Sequence, residues 1–228
     1  MPCWLRDDAP RQRASRWIGG EPVAIIDGFA DDPGAWRSVA AQQAFAPAGR
    51  HYPGIAAAVP DDYLRQHGAL IARVAREVFG ATRLSVLEAR FSIVNTAPAA
   101  LTIEQRLPHV DAFEAGRLAL IHYLVPAGTD GTAFYRHRTT GFETVGTTRR
   151  EGYFTALRRE IADAPPPGAY VAGDTPLFEQ LASLPGSYNR ALLYRSRLLH
   201  SGAIPPGAVL PSDPVTGRLT VTGFFAAE

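Results

Sequence analysis

His109-Val110-Asp111 sets an imidazole and a carboxylate two residues apart. In an extended segment, positions i and i+2 point to one face, so both side chains can meet a single metal ion. Chance alone yields roughly 0.3 of such a pair in a chain of this composition, so HxD by itself says little. His200 supplies a second imidazole at the end of the strand-like run YNRALLYRSRLLH. Two histidines and one carboxylate on neighbouring strands make the ligand face that holds non-haem Fe(II) and leaves coordination positions open. Open positions are what a chelating co-substrate and dioxygen would need. Arg218 follows on GRLTVTGFF after a loop long enough to bring that strand back beside the metal. A guanidinium there can fork onto a dicarboxylate whose other end chelates the ion.

The wider composition narrows the chemistry. All 23 basic residues are Arg, and the chain has no Lys. That removes a Schiff-base lysine, a P-loop lysine and a lysine general base. An anion held by charge must therefore be held by Arg, whose planar fork suits carboxylates. A net charge of +1 without a basic stripe argues against nucleic acid as a partner. Cys3 is the only cysteine, which excludes a disulfide framework and a cysteine metal cluster. The N-terminal residues show no apolar signal core, and no apolar run reaches membrane length. The expectation is a soluble cytoplasmic protein with a small-molecule or peptide substrate and no membrane partner. Oligomeric state leaves no mark in the sequence.

The elements that must position these residues fall into two parts of one domain over 1–228. Residues 1–20 read as a loose polar arm, and 21–80 as mostly helical support behind the short strand EPVAIIDGF. Asp31 or Asp32 caps a helix entered at Pro33, and a longer helix over 60–79 is stopped by Gly80. From 81 onward the pattern turns strand-like, at 83–95, 101–111, 116–126, 132–138, 188–202 and 217–225. A helical insert over about 150–184 interrupts it, with TPLFEQLASL read as a second short helix capped by Asp174. Many short strands with helices on one side suggest a mainly β, α+β fold: a jelly roll with a helical flank.

HVD, GRLALIHYLVP, GTDGTAFYRH, RLLHSG and GRLTVTGFF, in that order, resemble the motif strands of the Fe(II)/2-oxoglutarate-dependent dioxygenases. The prolyl-hydroxylase-like branch is nearest in pattern, and the resemblance covers about 84–225. It implies a double-stranded β-helix with iron on His109, Asp111 and His200. It further implies 2-oxoglutarate held at its far carboxylate by Arg218 and Tyr123, with dioxygen as the other co-substrate. Gln105, Arg90 and Asn95 could face the co-substrate too, against the plainer reading of satisfied polar groups in a sheet. Asp111 argues against the halogenating branch, which lacks this carboxylate. The expected reaction is hydroxylation of an unactivated carbon of a small molecule, amino acid or peptide, with desaturation or ring closure open to the same chemistry. Two other classes stay open: a cupin-like metal enzyme that does not use 2-oxoglutarate, and a non-catalytic jelly-roll binding domain. His122 reads as a surface or second-layer residue. His137 reads as either a neighbour of the site or a solvated side chain. Arg149, Arg150, Arg158 and Arg159 read as a solvated helix face that could also steer anions.

Overall fold

A computed structural model describes residues 12–125 and 131–228. Two antiparallel sheets form its frame. The larger comprises β1 (Arg13–Ile18), β2 (Glu21–Ile26), β3 (Ala46–Pro47), β4 (Gly54–Ala58), β5 (Leu84–Val94), β6 (Arg117–Tyr123), β9 (Ala191–Arg195) and β11 (Arg218–Ala227). Their order across the sheet is β1-β2-β9-β6-β11-β5-β4-β3. The smaller sheet orders β10 (His200–Gly202), β7 (Gly131–His137) and β8 (Phe178–Pro185) as β10-β7-β8.

Alternation along the strands assigns each face of the large sheet a task. Phe91, Ile93, Leu118, Leu120, Leu219 and Val221 turn outward and pack under helices α1 (Pro33–Ala41) and α2 (Asp61–Phe79). The alternate residues, Ala119, Tyr123, Leu192 and Tyr194, turn inward against Phe134 of the small sheet. A third cluster seats α3 (Arg150–Asp163) on the back of the small sheet through Tyr153 and Leu157. The inner face thus carries the polar residues Arg90, Ser92, Arg218 and Thr220 between two apolar layers.

Helix ends follow local chemistry. Asp32 Oδ1 accepts from the Ala35 amide at 2.9 Å and Pro33 opens the first turn. Asp61 and Asp62 stand in the first turn of α2, and Gly80 closes it at φ 70°.

Several expected elements take another form. The described part of the N-terminal arm is the edge strand β1, in register with β2 from Arg13↔Ile26 to Ile18↔Glu21; residues 1–11 lie outside the described residues, as does 126–130 in the fourth expected strand and the loop after it. EPVAIIDGF forms β2 as expected, and the helical support beyond it contains β3 and β4 as well as two helices. TPLFEQLASL is not a helix: Phe178–Pro185 pairs with β7, and Asp174 accepts from the Gln180 amide at 2.7 Å instead of capping. Pairing with β7 overrides the helical propensity of its Leu, Glu, Gln and Ala. Residues 101–111 are not a strand either, but two turns of chain with a 3₁₀ segment at Glu104–Arg106.

Candidate metal and co-substrate site

His109 and Asp111 are positioned by backbone pairing with a hairpin-like segment rather than by a strand of their own. The His109 amide donates to His200 O at 2.8 Å, and the His200 amide returns a bond to His109 O at 2.9 Å. Two residues on, the Asp111 amide donates to Ser196 O at 2.8 Å. The turn over 196–199 therefore clamps residues 109–111 in extended form, and their alternate side chains project together. His109, Asp111 and His200 converge, with one ligand atom of each within 4.8 Å of the others. His109 Nε2 stands 3.7 Å from Asp111 Oδ1, and His200 Nε2 3.5 Å from Asp111 Oδ2.

The neighbours of His200 settle its tautomer. Its Nδ1 lies 2.8 Å from Leu198 O, an acceptor only, so Nδ1 carries the hydrogen and Nε2 presents a lone pair to the cluster. Tyr194 packs on the ring edge-on at 4.9 Å, and Phe134 flanks it. Burial pushes the His200 imidazole down to about 4, against the pull of the Leu198 carbonyl. Burial and then the His200 charge push His109 down to about 4, partly offset by Asp111. Burial raises the Asp111 carboxyl to about 6, although His109 and Arg90 oppose the shift. At neutral pH both imidazoles are neutral and the carboxylate is mostly ionised, the protonation a divalent cation requires.

Arg218 begins β11 and is 8% exposed, deep on the inner face. Its Nη2 donates to Gly131 O at 3.0 Å, and its guanidinium carbon lies 5.7 Å from the centre of the Tyr123 ring. The Tyr123 and Thr132 hydroxyls are 2.6 Å apart. Tyr52, from the loop before β4, completes this floor: its buried hydroxyl faces Arg218, with Thr220 and Ser92 beside it. Burial raises the Tyr52 hydroxyl despite the nearby Arg218 charge. Nothing in the sequence marked Tyr52, because it reaches the site from a part of the chain read as irregular. Arg90 also lies inward, its guanidinium 5.8 Å from the Tyr52 ring centre.

Gln105 goes elsewhere. Its Nε2 donates to Arg50 O at 3.0 Å and its Oε1 accepts from the Thr102 amide at 3.1 Å, so the amide ties two loops together. The 3₁₀ turn at 104–106 replaces the strand that would have aimed it inward. His122 is a core residue beneath the sheet, with Nδ1 2.9 Å from the Tyr63 hydroxyl and Nε2 3.1 Å from Asn189 Oδ1. His137 is buried between β7 and α3, with Nε2 2.7 Å from Glu160 Oε2. Arg149 and Arg150 lie over the rings of Phe142 and Phe113, and Arg158 lies near Phe154.

Solved structures similar to this chain include enzymes described with iron or nickel and with 2-oxoglutarate. The non-haem α-ketoglutarate-dependent epimerase SnoN from nogalamycin biosynthesis matches at TM-score 0.51 and 13% identity, over 93% of this chain and 79% of SnoN. HygX from Streptomyces hygroscopicus, solved with nickel, 2-oxoglutarate and hygromycin B, matches at TM-score 0.53 and 13% identity, over 92% of this chain and 84% of HygX. At such identities the likeness is one of fold. No curated protein sequence matches the chain. One family model, described as a family of unknown function (DUF6445), matches residues 9–225, and the chain belongs to that family.

Proposed function

We propose that this chain is an Fe(II)- and 2-oxoglutarate-dependent oxygenase on a double-stranded β-helix, hydroxylating an unactivated carbon of a small molecule, amino acid or peptide. The observation that carries this reading is the convergence of His109, Asp111 and His200 within 4.8 Å. Two neutral imidazole nitrogens and one carboxylate oxygen suit a borderline divalent ion such as Fe(II). The second half of the site fits as well. A buried guanidinium with the Tyr52 hydroxyl facing it would suit a carboxylate, which accepts from both. An inward Arg218 supports this reading over a jelly-roll metal enzyme that does not use 2-oxoglutarate.

When bound, the iron and 2-oxoglutarate supply the oxidising power, with dioxygen consumed and the co-substrate converted to succinate and carbon dioxide. The chain's own work is binding and orientation. His200 is held by its Nδ1–H bond to Leu198 O, which fixes both the ring and the free lone pair. His109 and Asp111 are held by the backbone bonds to His200 and Ser196. Arg218, over the Tyr123 ring, would neutralise the far carboxylate and so orient the co-substrate. Tyr194 and Phe134 keep water from the rear of the site. Succinate formation that depends on Fe(II) and 2-oxoglutarate is the test. It is expected from the wild type and lost in His109→Ala; equal rates in both would overturn the assignment.

A further inference from the structure

A cavity of about 500 Å³ opens against the metal-ligand cluster, with Asp111 as part of its wall. That volume lies in the range of about 300–1,000 Å³ usual for small-molecule sites. Its other walls include Leu87, Phe113 and Phe224, which are apolar, and Arg117 and Ser196, which are not. Ser196 is 1% exposed, and its hydroxyl has no hydrogen-bond partner. A buried hydroxyl left unpaired costs about 1–3 kcal/mol, so this one has a hydrogen bond to offer an occupant of the cavity. Arg117 is half-buried, and among the described residues no carboxylate lies within ion-pair distance of it. By contrast Glu88 is already paired with Arg90 at 3.2 Å, and Glu114 at the rim is exposed to water. With Asp111 turned to the metal site, the demand left inside the cavity is for an anion that also accepts a hydrogen bond.

We propose that this cavity is the substrate site and takes a carboxylate with an apolar or aromatic body. The carboxylate lies on Arg117 and Ser196, the body lies against Phe113 and Phe224, and the carbon near Asp111 faces the metal. This inference rests on the proposed oxygenase reading, since it makes Asp111 the boundary between metal and substrate. It adds a charge requirement that the metal ligands do not impose. Arg117 is kept in place independently of any ligand, because β6 begins there and its carbonyl accepts from the Ser196 amide at 3.0 Å.

The probes are 4-phenylbutyrate, its amide and 4-phenylbutylamine, which share shape and differ in charge. Binding is measured by calorimetry on the metal-free protein and again with Mn(II), whose uptake is titrated separately. The wild type is expected to bind the carboxylate at least tenfold more tightly than the amide and to reject the amine. Arg117→Gln is expected to erase that preference while leaving Mn(II) affinity and the melting temperature unchanged. With Mn(II) bound, the probe's protons should relax faster the nearer they lie to the ion, the effect falling steeply with distance. A wild type that favours the amine or treats the three alike overturns the inference, as does an Arg117→Gln variant that retains the preference. If Mn(II) is not taken up but the carboxylate preference and its loss in Arg117→Gln persist, the cavity assignment stands and the oxygenase reading fails.

Discussion

Replacing Asp111 by Asn exchanges one oxygen for a nitrogen and removes the one charged ligand from the cluster. The metal-free protein holds that carboxylate at a cost. Its folded carboxyl titrates at about 6 against an ordinary value of 3.8, chiefly because of burial. The folded state therefore keeps the proton more tightly than the unfolded chain. Stability is highest below pH 3.8 as far as this group is concerned, falls as pH rises to about 6, and stays lower above it. At about 1.4 kcal/mol per pKa unit, the penalty at pH 7 is about 3 kcal/mol. The side chain is only 16% exposed, so solvent screening removes little of this. Metal-free Asp111→Asn should thus be more stable than the wild type at pH 7 by about 1–3 kcal/mol. At about 2–4 °C per kcal/mol for a chain of this size, the melting temperature should rise by roughly 2–12 °C. Mn(II) should reverse the order: at a hundred times its dissociation constant it stabilises the wild type by about 2.7 kcal/mol and the variant hardly at all. Differential scanning calorimetry with and without Mn(II), at pH 3.5 and pH 7, checks all four corners. A metal-free variant that melts below the wild type at pH 7 would show that burial does not penalise the Asp111 carboxylate.

Arg218→Ala should weaken 2-oxoglutarate binding by thirtyfold or more and leave Mn(II) binding intact, by calorimetry, because no lysine exists to replace the lost charge. Acid should destabilise the metal-free fold: His122 is pushed down to about 3 by burial, against an ordinary 6.5, so its contribution is full above pH 6.5 and lost as pH falls toward 3. At pH 5 this one group costs about 2 kcal/mol. His200, buried like His122, acts in the same direction, and the two outweigh the gain from protonating Asp111; urea unfolding that shows no loss between pH 7 and pH 5 would contradict this. Asn189→Ala should cost about 3 kcal/mol or more in urea unfolding, since Asn189 bonds both backbone groups of Ala30 at 2.8 Å, bonds His122, and sits at φ 60°.

What could be read in advance depended on how local the cause was. The helices were visible because Asp32, Pro33 and Gly80 act within one turn of where they stand. The HxD spacing pointed to a shared face, and the face exists, but its cause is the pairing of His109 and Asp111 with His200 and Ser196 rather than a strand over 101–111. β1 was missed because an edge strand with Arg13, Ser15 and Trp17 facing water carries no apolar alternation to mark it. β8 was missed because register with β7, including the irregularity at Phe134/Tyr135, is a property of two segments far apart in sequence. Tyr52, Ser196 and Arg117 escaped for a related reason. Each belongs to a different loop or strand start, and only the closed sheets bring them to the cleft.

The most direct test of the central reading is a crystal soaked with Mn(II) and N-oxalylglycine, an unreactive mimic of 2-oxoglutarate. Density for the ion bound by His109, Asp111 and His200, with the mimic's far carboxylate on Arg218, is the predicted result. An ion bound elsewhere, an empty cluster, or a mimic whose far carboxylate lies away from Arg218 would contradict it.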